Sequence, residues 1–275
     1  MITNPIYKRD LKLSNKNIRI ALAVGIFNLS ILMFALSNID RYISDAALNA
    51  RIDYNDFLNL FMILLCMDFA FIFLILPGFT ALGISTERET QSLYLLMATK
   101  LKAKDLVLGK LFYAIHTVCL FVITTLPVKL ISLIYTTLSV DKVITLIASY
   151  AVSILYVAAI GIFVSSVCKK SSIAIEVVYV VLIVLILLSV YNFENMFFIS
   201  PVSLLLLNLY NISKYNYVLN NFGIYLLDPE NIFSMHNIRM TLTIQLFISL
   251  ILVVLSVYNT DLRHKNIFSL WKKDK

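Results

Sequence analysis

Glycine occurs only six times in 275 residues, proline five times and cysteine three times, and charged residues fill just 14% of positions. Each shortage removes a class of protein. With so little glycine there is hardly room for a phosphate-cradling loop, and no GxxxxGK[ST], GxSxG, HExxH or CxxC pattern occurs. Cys66, Cys119 and Cys168 fall within or at the edge of apolar runs, where they read as small buried hydrophobes rather than a disulfide framework or a zinc site. His116, His236 and His264 lie far apart on different segments and do not make one metal site. The chain is therefore expected to carry no catalytic residue, cofactor or metal, so that any energy-driven work draws on another chain.

What is present is apolar. Hydrophobic residues make up 60% of the chain and mean hydropathy is +0.87, the composition of an integral membrane protein. Runs long enough to cross about 30 Å of hydrocarbon occur at 18–37, 57–84, 107–134, 143–167, 173–190 and 241–259. They are continuous rather than alternating, which excludes an outer-membrane barrel and predicts an all-α bundle of six transmembrane helices. The first run is too long for a signal-peptide core and has no small-residue cleavage site behind it, so it reads as a retained span.

The net charge of +7 concerns sidedness rather than nucleic acid, for which no partner role is expected. With the N-terminus inside, 17 of the 23 Lys and Arg residues fall on cytoplasmic segments and 6 outside, which favours both termini in the cytoplasm. Segment 1–17, with Ile6, Leu11 and Leu13 among basic residues, suits a short interfacial helix. Segment 85–106 is a cytoplasmic hairpin, 191–240 an aromatic-rich outer region and 260–275 a basic cytoplasmic tail. Within the outer region, Ser200-Pro201 gives a cap-then-proline start to an apolar run too short to span, an interfacial or re-entrant helix, and Asp228-Pro229-Glu230 repeats the signal. Tyr191, Phe193, Phe197, Phe198, Tyr210, Tyr215, Tyr217 and Phe222 suit a headgroup boundary.

The hairpin STERETQSLYLLMATKLKAKDLVLGK holds the densest polar signal. Thr86 with Glu89 three residues on reads as a capping box, with Glu87 and Glu89 in a first turn that favours anions. Leu93, Leu96 and Met97 form an apolar stripe at i, i+3, i+4 spacing, which either packs on the chain's own spans or enters a groove on a partner.

These motifs resemble those of type-2 permease subunits of ABC transporters. The shared residues are Pro77, Glu87-Arg88-Glu89, Ser92-Leu93, Leu95-Leu96, Ala98-Thr99, Lys102 and Leu108-Gly109-Lys110, together with Asn4-Pro5 followed by Lys8-Arg9, Ser200-Pro201 and the basic tail. The resemblance covers nearly the whole chain. Family members commonly carry glycine after the ERE triplet, as in EREKGT, where this chain has Thr90-Gln91. The resemblance implies a plasma-membrane exporter in which two permeases, alike or related, form the substrate path in the bilayer and two copies of a separate ABC ATPase hydrolyse ATP; the abundance of Ile, Asn, Lys and Tyr points to an AT-rich bacterial genome. The segment Glu87 to Thr99 would then be the coupling helix, with Glu87, Arg88, Glu89, Leu93, Leu96 and Met97 meeting the ATPase.

Inside the spans, Asp68 is the most conspicuous polar residue: either it lines a substrate path or its carboxyl locks helices together. Lys129 and Gln245 lie near the outer boundary, where they are expected to snorkel. Glu176 is expected to pair with Lys169 or Lys170, and Pro77 and Pro127 to kink their spans. Two other functions compete. An ion-gradient carrier would want pseudo-symmetric halves, broken helices and clustered intramembrane charges, which are not seen. A non-transporting immunity or sensor subunit would carry the same hairpin. The cargo is not legible.

Overall fold

In lipid every backbone polar group needs an internal partner, and an apolar run without alternation finds it only as helix. The computed structural model describes residues 4–15, 18–49, 54–98, 101–134, 136, 138–191, 197–213 and 235–273, and among these no strand occurs. The helices are α1 (Pro5–Asn15), α2 (Ile18–Asn49), α3 (Tyr54–Glu89), α4 (Ser92–Ala98), α5 (Ala103–Ile134), α6 (Val140–Val167), α7 (Ser171–Tyr191), α8 (Ser203–Ser213) and α9 (Met235–Lys273), with a 3-10 turn at Phe197–Ile199. Six are long and apolar enough to cross a membrane: Ala21–Ser44, Asp56–Glu89, Ala103–Ile134, Val140–Val167, Ser171–Leu188 and His236–Asp261. Helix overruns the apolar runs at several ends, because backbone hydrogen bonding continues where hydropathy stops.

Helices α3 and α6 form the centre. They pack on each other and on α5 and α7, α6 also packs along α9, and α2 rests mainly on α5. Phe69, Ile72 and Leu76 of α3, Val118 of α5, Tyr156 and Val157 of α6 and Val178 of α7 share one buried cluster. The closest crossing is set by Gly161, where a Cβ would lie 1.8 Å from Thr80 Oγ1 and 2.7 Å from Thr80 Cβ. Pro77 sits within α3, and beside it the Tyr179 hydroxyl of α7 donates to the Leu74 carbonyl, one way a proline-interrupted span regains partners.

The short apolar segment does not lie on the surface: Leu204, Leu207 and Leu209 of α8 are fully buried, and the helix packs against α3, α6 and α9. It starts at Ser203 rather than at Pro201, since Ser200 first closes a turn in which its carbonyl accepts from Ser203 N at 3.2 Å. Gln245 does not snorkel. It is buried and donates to the Ser200 carbonyl at 2.9 Å and Ser203 Oγ at 3.1 Å, fixing α8 to α9. Glu176 is exposed and forms no ion pair with Lys169 or Lys170 among the described residues. Phe193, Tyr215, Tyr217, Phe222 and Asp228-Pro229-Glu230 lie outside the described residues.

Candidate coupling site

The last turns of α3 gather most of the sequence motifs in one place. Helix α3 does not stop before Thr86, because hydroxyls inside it bond back to the preceding turn: Ser85 Oγ to the Ala81 carbonyl at 2.6 Å, Thr86 Oγ1 to the Leu82 carbonyl. The expected capping box at Thr86 and Glu89 is thus not formed. Glu87, Arg88 and Glu89 end a 36-residue helix instead of beginning a short one.

Each member of the triplet reaches a different helix. Glu87 Oε1 accepts from Arg9 of α1 at 2.6 Å and lies 2.6 Å from Lys110 Nζ of α5, which is also 2.9 Å from Asp10 Oδ2. Arg88 donates to the Ser166 carbonyl at 2.9 Å and to the Cys168 carbonyl, at the C-terminal end of α6 where cations are favoured. Glu89 accepts from Ser171 N at 3.0 Å and from its hydroxyl, capping α7. Asn259 of α9 adds a 3.2 Å bond to the Ser166 carbonyl, so α1, α3, α5, α6, α7 and α9 are joined within a few residues. Burial works against the Arg9 charge, but its bonds to Glu87 and Asp10 outweigh that and hold the guanidinium above its ordinary value.

The N-terminal motif belongs to the same place. Asn4 caps α1 through Ile6 N at 3.0 Å, with Pro5 in the first helical position, and its amide donates to the Asp105 carbonyl at 2.6 Å. This approach requires Gly109, where a Cβ would sit 3.0 Å from both Asn4 Oδ1 and Ile6 Cβ. Asn-Pro, Lys-Arg, ERE and Leu-Gly-Lys are therefore parts of one intramolecular junction.

Between α3 and α4 the chain turns on Gln91, whose φ of 58° is in the left-handed region. That is the second residue after the triplet, the place of glycine in EREKGT, and the reason glycine suits it. In α4 the expected stripe is covered from within: Leu93 is buried, and Leu96 and Met97 pack on a cluster that includes Ile6, Ile84, Leu106 and Ile162. What α4 presents outward is Leu95, 75% exposed.

Asp68 is elsewhere, sealed in mid-span between α3, α5 and α6. It pairs with Lys129, accepts from the Tyr150 hydroxyl at 3.3 Å, and lies 3.4 Å from Thr125 Oγ1, with Lys129 Nζ 5.6 Å from the Tyr150 ring centre. Lys129 does not snorkel: its side chain is only 6% exposed, held inward by its pairing with the buried Asp68. The partner of Asp68 was hidden from sequence reasoning by that assignment. Their separation of 61 residues gives no local signal, and only the antiparallel register of α3 and α5 brings them together.

Among the described residues, helices without strands, six of them apolar and long enough to cross a membrane, define a multi-pass α-helical membrane protein. A model of the family described as ABC-2 type transporter matches residues 8–222, and the chain belongs to that family. No curated protein matches the chain.

Proposed function

We propose that the chain is the permease subunit of an ATP-driven exporter, with both termini cytoplasmic, paired with a second permease and moved by two copies of a separate ABC ATPase. The reading rests on membership of the ABC-2 transporter family and on one observation: the triplet that ends α3 is bonded to α1, to the early turns of α5, to the end of α6 and to the start of α7. A force applied to the short α4 beside it is then delivered to several spans at once rather than lost in a loop. In this reading Leu95 and the outer face of α4 touch the ATPase. Leu93, Leu96 and Met97 hold α4 to the spans, and Glu87, Arg88 and Glu89 transmit. Asp68 is a lock between helices.

The test is co-purification of the tagged permease with candidate Walker-A ATPases of the same genome, the neighbouring reading frames first. Leu95→Asp is expected to lose the ATPase while the permease still inserts, whereas Glu87→Lys is expected to keep the ATPase and lose transport. Unchanged association and transport in both variants would exclude this arrangement.

A further inference from the structure

A cleft of about 800 Å³ opens between the end of α4 at Met97, the start of α5 and the middle of α9. Its walls are apolar, formed by Leu108, Val253, Val254 and Val257. Its rim is basic: Lys102 and Lys104 are both exposed, and Asp261, the acidic lining residue, is already partnered within the chain. Val254 and Tyr258 stand 67% and 61% exposed on a helix long enough to span, so the cleft faces the surroundings of the bundle sideways.

We infer that this cleft binds an anionic phospholipid of the inner leaflet, headgroup phosphate on Lys102 and Lys104 and acyl chain along Val253, Val254 and Val257. Three features select this occupant. The volume lies within the range of small-molecule sites. Apolar wall and basic rim follow each other along the membrane normal in the order of a lipid's own parts, and basic pockets between spans on the cytoplasmic side favour acidic headgroups. Tyr258 stands at the boundary between them, where an amphipathic ring is suited. A protein segment of ordinary composition would not need that order.

The inference rests on the proposed cytoplasmic placement of this end of the bundle, but its readout needs no ATPase. Purified full-length permease is exchanged into micelles containing phosphatidylglycerol and phosphatidylcholine, and retained lipid is counted by native mass spectrometry. The wild type is expected to retain phosphatidylglycerol selectively. Lys102→Gln and Lys104→Gln should each weaken that retention roughly fivefold, and Val254→Trp, which fills the cleft from an exposed position, should abolish it. Equal retention of the two lipids, or unchanged phosphatidylglycerol retention in the lysine variants or in Val254→Trp, overturns the inference. So does crosslinking of Val254→Cys to a protein partner in intact cells. Selective retention by a permease that binds no ATPase would remove the proposed function and leave the lipid site standing.

Discussion

Glu87 and Asp68 are both carboxylates of α3, both less than a tenth exposed, and both paired with lysines of α5, Lys110 and Lys129. The pairs even share a register: 19 residues separate the acids and 19 separate the bases, as expected of two contacts along one antiparallel helix pair. Their surroundings differ. The cluster around Glu87 holds four charges of zero net sum, Arg9, Asp10, Glu87 and Lys110, with Arg9 40% exposed, so losing one partner leaves others and some water. The mid-span pair has one acid and one base, sealed by Thr125 and Tyr150, and no route to solvent for whichever charge is left behind. Loss of a single partner is thus buffered at one end of α3 and uncompensated in the middle.

The comparison is broken most directly by removing one charge of the sealed pair. Lys129→Leu or Asp68→Leu is expected to cost about 3–5 kcal/mol, read as loss of accumulated, thermally stable protein in detergent, and the double replacement by leucine should recover most of it. A double variant as unstable as the singles would show that the two sites do not act as a pair. Between the nodes, Gly161→Ala is expected to cost about 1–3 kcal/mol by overpacking, and Thr80→Ala should recover only part, since Thr80 Cβ remains 2.7 Å from the new methyl.

At the buffered end, Glu87→Gln is expected to cost only about 1 kcal/mol, measured by the same melting assay. An effect as large as that of Lys129→Leu would erase the distinction. The smallest change sharpens the turn beyond it: Gln91→Gly should stabilise by about 0.5–1 kcal/mol, because the backbone there is already left-handed. A destabilised Gln91→Gly would mean that the side chain holds the turn.

Span number, helix class and family were legible because hydropathy and motif spacing are local signals. The partners were not. Glu89 reads in the sequence as the first-turn carboxylate of a helix beginning at Thr86, but it ends α3, and the helix it caps is α7, 82 residues away. Similarly, Leu93, Leu96 and Met97 were recognisable as an apolar stripe, but periodicity is silent on whether the covering surface belongs to the same chain. Lys129 looked like a boundary residue because depth was counted along its own span, without the acid that α3 places opposite.

Helix α3 runs 36 residues, about 54 Å, with Glu87 and Asp68 about 28 Å apart along it. In the proposed function it would act as a lever held at two points: at its end, where several charged partners share the hold, and at the Asp68–Lys129 pair within the bundle. Tyr179, bridging to Leu74 beside Pro77, stands between the two points. A displacement entering at α4 would pass this point before reaching Asp68, so the stiffness of a single proline-containing turn sets how far the motion travels.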